Sequence, residues 1–122
     1  MRIRTPLIAV ALVLLGAAAA LAAELHSPSL YAVGGQFLEC RIVNNSAVPQ
    51  TVRIRMFNSV GAIVADNTQI VAPNGFAGIS APSALGGSHC RFSTSAARSV
   101  FRASIDVLDG AGGGIVVALP AQ

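Results

Sequence analysis

The stretch Phe101-Arg102-Ala103-Ser104-Ile105-Asp106-Val107-Leu108 sets apolar Phe101, Ala103, Ile105 and Val107 at alternate positions against polar Arg102, Ser104 and Asp106. Alternation of this kind has the two-residue period of a strand with one buried and one wet face, and it draws no continuous apolar stripe along a helix. Val100 to Leu108 is therefore predicted as a strand. The same period recurs in Thr51 to Phe57, where Val52, Ile54 and Met56 oppose Arg53 and Arg55, and again in Gln36 to Val43 and Ser88 to Ser93. Ser29 to Val33, Ala62 to Asp66, Thr68 to Ala72, Phe76 to Ala81 and Gly114 to Leu119 complete the expected set. Between them, Gly34-Gly35, Asn74-Gly75, Gly86-Gly87 and Asp109-Gly110 supply residues that tolerate positive φ. Pro49, Pro73 and Pro82 stand at strand borders, where no ladder N–H is needed.

Composition points the same way. Hydrophobic residues make up 53% of the 122-residue chain and charged ones 11%, too apolar for disorder, while 12 Gly and 6 Pro interrupt it too often for a helical bundle. No segment downstream of residue 23 has a helical period, so the expected architecture is all-β: a single β-sandwich domain, residues 23–122, of seven to nine short antiparallel strands. All eight basic residues are Arg, which removes P-loop phosphate binding and Schiff-base lysine chemistry.

The N-terminus reads as a targeting signal. Arg2 and Arg4 precede an apolar run from Leu7 to Leu15, followed by an alanine-rich tail ending Ala20-Leu21-Ala22. This is the layout of a secretory signal peptide, residues 1–22, with cleavage after Ala22 or Ala23; the alternative is a retained anchor at the lower limit of span length. Without Arg2 and Arg4, six Arg face five acids and the formal net charge drops from +3 to +1. A dense cationic surface for nucleic acid is thus not expected. The expected location is secreted or periplasmic, with no stable membrane insertion after cleavage.

Export decides how Cys40 and Cys90 are read, because two cysteines outside a reducing cytosol most often form one disulfide. Leu38, Cys40 and Ile42 share a strand face opposite Glu39 and Arg41, and Cys90 shares one with Phe92 opposite His89 and Arg91. Both thiols point inward by parity, and a Cys40–Cys90 bridge is predicted.

Cys40-Arg41-Ile42-Val43-Asn44-Asn45-Ser46, followed by Gln50-Thr51-Val52-Arg53-Ile54-Arg55-Met56-Phe57 and then Gly61, resembles the strand B, turn, strand C core of bacterial immunoglobulin-like domains of the adhesion-associated CARDB type, with an N-x-S corner, a V-x-I-x-x-F strand and a hairpin glycine. Cys90-Arg91-Phe92 and Arg102 to Asp109 are similar to segments of small exported bacterial proteins of unknown role. The resemblance implies an immunoglobulin-like sandwich and no particular activity. The Trp that packs on the disulfide of antibody domains is absent, and Cys90 falls on either strand E or strand F.

Motifs for chemistry are sparse. His89 adjoins Cys90, but neighbours on a strand point to opposite faces, so no metal site is expected. Ser88, His89 and Asp106 supply the letters of a hydrolytic triad without a G-x-S-x-G elbow, and no catalytic residue is assigned. Asp109 to Gly114 is a hairpin tip rather than a nucleotide loop, because it joins two strands and opens no helix. Asn44-Asn45-Ser46 is formally a glycosylation sequon that explains itself as a turn. The informative surface feature is cationic: Arg53, Arg55 and Arg102 share outward parity and are expected on one C, F and G sheet, joined by Arg91 if its strand is F, either as a face for an anionic partner or as a solvated face whose charges block edge pairing. These residues predict a non-enzymatic binding module without cofactor, its partner a protein or an anionic envelope polymer. The alternative is a small exported hydrolase or metal-binding protein, which would need a pocket holding His89 with an acid.

Overall fold

Alternating segments separated by turn residues give eight strands among the described residues: β1 (Ala23–His26), β2 (Gln36–Asn44), β3 (Gln50–Asn58), β4 (Ile63–Val71), β5 (Phe76–Pro82), β6 (Ser88–Thr94), β7 (Phe101–Asp109) and β8 (Ile115–Pro120). The computed structural model describes residues 23–82, 87–110 and 114–122, so the expected signal segment, residues 83–86 and the middle of the expected hairpin tip, 111–113, lie outside the described residues. The strands form two antiparallel four-stranded sheets, ordered β1-β6-β3-β4 and β5-β2-β7-β8. Each sheet turns its apolar parity inward. Leu38, Cys40, Ile42 and Ile105 from one sheet meet Val52, Ile54, Met56, Cys90 and Phe92 from the other in a fully buried core.

The predicted bridge is present. Cys40 and Cys90 are disulfide-bonded with Cα atoms 5.7 Å apart, joining the central strands β2 and β6 of opposite sheets. In an immunoglobulin domain strands B and E pair in one sheet while C and F pair in the other. Here β2 pairs with β5 and β3 with β6 in the same way, but β7 pairs with β2 and β1 with β6, where an immunoglobulin domain pairs G with F and A with B.

Three expectations need correction. Ser29 to Val33 forms no strand, only one bridge from Leu30 to Ser88; the paired segment lies upstream at β1, and Pro28, without an N–H, ends it. Ala62–Asp66 and Thr68–Ala72 merge into β4, because Asn67, opposite Ile54, holds its place in the ladder on an edge strand with its side chain in solvent. Finally, β7 does not join β3 and β6. After β6, six residues ending in a 3-10 turn at Arg98–Val100 carry the chain across the sandwich. There the Asn45 N–H donates to the Val100 carbonyl and lines Phe101 up with Asn44 of β2.

That crossing is anchored by a buried polar corner. Asn44, completely enclosed, donates from Nδ2 to the Val48 and Val71 carbonyls at 2.9 and 3.0 Å, and its Oδ1 accepts from the Ser46 N–H and hydroxyl. Asn44 backbone groups bond Gly75 and Asn74, and Asn74 takes φ 58°, a left-handed geometry that asparagine tolerates. The sequon is thus a turn whose amide is used up internally. The open sides of the sandwich are tied as well, by Gln69 Nε2 donating to the Gly78 carbonyl between β4 and β5. On the opposite side, reciprocal backbone bonds join His26 and Gln122.

Removing the enclosed Asn44 side chain leaves the buried Val71 carbonyl and the partly buried Ser46 N–H without their partner and opens a gap in the corner, so Asn44→Ala is expected to lower unfolding free energy by about 2–4 kcal/mol, whereas Asn45→Ala, at an exposed position, changes it by less than about 0.5 kcal/mol. Urea unfolding at neutral pH checks both. The bridge spans 50 residues of chain, and its loss by Cys40→Ala with Cys90→Ala is expected to cost about 4 kcal/mol in the chain-entropy account. Coincident urea transitions for the oxidised protein and the double variant would contradict this.

Candidate functional site

The outer face of the β1-β6-β3-β4 sheet is built by register. One cross-strand row runs Glu24, Ser93, Arg53, Thr68; the next runs His26, Arg91, Arg55, Asp66; a third places His89 opposite Phe57. Each of these residues is outward because its neighbours Leu25, Phe92, Ile54, Met56 and Cys90 are inward, and a one-residue slip would empty the core.

Charge on this face is unevenly matched. Arg53 binds Asp66 with two hydrogen bonds of 3.1 and 2.8 Å, and that bonding draws the Asp66 carboxyl below its usual range and raises the Arg53 guanidinium. Arg55, with a side chain 16% exposed, donates to Ser93 Oγ at 2.9 Å and lies 3.9 Å from Glu24, which also pairs with His26 at 3.3 Å. Arg91 makes no ion pair among the described residues. It stands directly opposite Arg55, an arrangement in which like charges repel.

An aromatic platform holds the two cations. The Arg91 guanidinium lies 4.9 Å from the centre of the Phe57 ring and that of Arg55 5.8 Å, and Phe57 itself stacks on His89 with centroids 5.3 Å apart. A cation held on a ring face is oriented without being neutralised. The Nε atoms of both Arg55 and Arg91 are buried and lack hydrogen-bond partners. Burial, then the charge of Arg91 and of His26, push the His89 pKa below the usual imidazole value of 6.5. Beside this cluster a shallow trough of about 340 Å³ is lined by Thr51, Arg53, Thr68, Ser93, Thr94 and Ser95.

The expected trio Arg53, Arg55 and Arg102 is therefore not one face. Arg53 and Arg55 stand together on β3, but Arg102 belongs to β7 in the other sheet, where it donates to the Phe101 carbonyl. Arg91 takes its place. That outcome turned on the strand assignment of Cys90. The roles of Phe57 and His26 were missed, because Phe57, which shares the outward parity of Arg53 and Arg55, was given no role and the first strand was placed at Ser29 to Val33. On the opposite outer face Arg41 is taken up by Glu39 at 2.7 Å, lies 3.9 Å from the buried Asp106, and sits over Phe76. Ser88 is buried, His89 faces out from one sheet and Asp106 faces out from the other, so these three do not converge. Among the described residues no group of three or more His, Cys, Asp or Glu could hold a metal ion.

No protein-family model matches the chain, and no curated protein matches it. Among solved structures it is similar to the crystal structure of Thermotoga maritima 1070, at 12% identity and a TM-score of 0.56, covering 81% of this chain and 91% of that one. At such identity the likeness concerns the fold.

Because the His89 pKa is lowered in the folded state, the unfolded chain binds more protons than the native one just below pH 6.5. Stability is then fully present above that pH and declines as pH falls through it. Chemical denaturation of the protein and of His89→Gln across about pH 7.5 to 5 should show a steeper decline in the parent, and parallel curves would refute the assignment.

Proposed function

We propose that the protein is an exported, non-enzymatic binding module that uses the outer face of the β1-β6-β3-β4 sheet to hold an anionic partner, an envelope polymer or an acidic protein surface. One observation carries this reading: Arg55 and Arg91 face each other across adjacent strands over one aromatic ring, Arg55 with Glu24 at 3.9 Å and Arg91 with no acid paired to it among the described residues. A face that was merely solvated would gain from pairing or separating these charges. Export is supported by the signal-like segment 1–22 and by the disulfide, a bond that persists in oxidising compartments. The non-enzymatic part rests on the dispersal of Ser88, His89 and Asp106 and on the use of His89 as a stacking partner of Phe57.

The sheet resembles that of an immunoglobulin-like module in its central pairing, which fits a scaffold presenting a face, although such scaffolds host many activities. No helix among the described residues is long and apolar enough to cross a membrane.

Replacing Arg53, Arg55 and Arg91 together by Ser is expected to abolish retention on an immobilised acidic polymer while leaving the fold intact. Arg102→Ser, on the opposite face, should leave retention unchanged. Retention by the parent should weaken as salt rises from about 50 to 500 mM, since exposed charges are screened within a few ångströms at the higher value. Equal retention of the parent and the triple variant would overturn the reading.

A further inference from the structure

We infer that Arg55 and Arg91 form a single oxyanion subsite, one that takes one phosphate, sulfate or carboxylate group between them. The inference rests on the reading of this face as a binding surface and names the chemistry at its centre. Three features converge on it. The two guanidiniums occupy directly opposed positions on β3 and β6, so an anion lying over that pair reaches both. Each carries a buried Nε–H with no acceptor, so neither guanidinium has its donors fully used within the protein, and an oxyanion meets each fork at its terminal nitrogens, the Nε itself being covered. Both are braced over Phe57, which is itself backed by His89, so the forks are held in place before the ligand arrives.

Neighbouring charges determine which groups belong to the subsite. Arg53 is outside it, because both of its bonds go to Asp66. Glu24 is the competing anion: 47% exposed, it approaches Arg55 at 3.9 Å and pairs with His26, leaving Arg91 the less satisfied of the two. An oxyanion bound at Arg91 displaces only the weak Glu24–Arg55 contact. His26 lies next to Arg91 in the same cross-strand row and His89 lies two residues before it, so both histidines border the subsite.

The test uses inorganic phosphate and sulfate against chloride at constant ionic strength, followed by amide NMR shifts along β3 and β6 and by thermal unfolding. Because strongly hydrated anions stabilise every protein to some extent, the comparison between variants reads the site. Arg91→Gln and Arg53→Gln remove the same charge from the same face. The first is expected to weaken phosphate binding about tenfold or more, the loss of a charge-assisted hydrogen bond, and the second to leave it within about twofold. Glu24→Gln is expected to tighten binding. Equal weakening by Arg91→Gln and Arg53→Gln, or shifts no larger with phosphate than with chloride, would overturn the subsite. Polyphosphate and polyglutamate then distinguish the sources of the group, since each should displace bound phosphate if its own oxyanion enters the subsite. Polymer retention that survives Arg91→Gln and Arg55→Gln overturns the subsite but not the binding face. Phosphate bound at Arg91 without retention of either polymer overturns the binding face but not the subsite.

Discussion

The Cys40–Cys90 bridge is the constraint on which the remaining structure depends. It joins the central strands β2 and β6 of opposite sheets at the middle of the core, where Cys40 sits between Ile79 and Ile105 and Cys90 between Met56 and its own sheet neighbours. With about 100 residues beyond the signal-like segment, hydrophobic burial leaves a narrow margin over chain entropy, and a link closing a long loop supplies a sizeable part of that margin. The bridge also has a consequence at the surface. Cys90 must point inward, so His89 and Arg91 must point outward, and the cationic face is the reverse side of the disulfide.

The two outer faces handle arginine in different ways. On the β5-β2-β7-β8 sheet, Arg41 is matched with Glu39 and approaches the buried Asp106, and its charge is spent within the molecule. On the β1-β6-β3-β4 sheet, Arg53 is likewise matched with Asp66, but Arg55 and Arg91 are steadied by Phe57 and Ser93. A ring provides orientation without cancelling charge, and the paired strands β3 and β6 provide the base under it. The combination leaves three arginines against two acids, Glu24 and Asp66, on one face of a protein whose overall charge is small.

Polar groups settle the topology that apolar packing leaves open. Many strand orders would bury the same inward faces, yet Asn44 binds Val48, Val71 and Ser46 while Asn45 captures Val100, and together they bring the start of β7 beside the end of β2. Gln69 and Gln122 then tie the two open sides, so that no sheet edge is left wholly unattended.

Residue order by itself determined the local features of this protein: the two-residue period of β2, β3, β6 and β7, the turn at Asn74-Gly75, and the inward parity that pairs Cys40 with Cys90. These are local because strand periodicity and turn geometry depend on residues within a few positions of each other. Only the tertiary structure decided which strands are neighbours. Arg102 left the face expected for it because the chain crosses the sandwich between β6 and β7, while the pairing of β6 with β3 set Arg91 opposite Arg55 and brought both to Phe57. The inward parity of β7 is equally satisfied in either sheet, so alternation carries no information about the choice. Long-range hydrogen bonds at the Asn44 corner carry it instead, and their partners are distant in sequence.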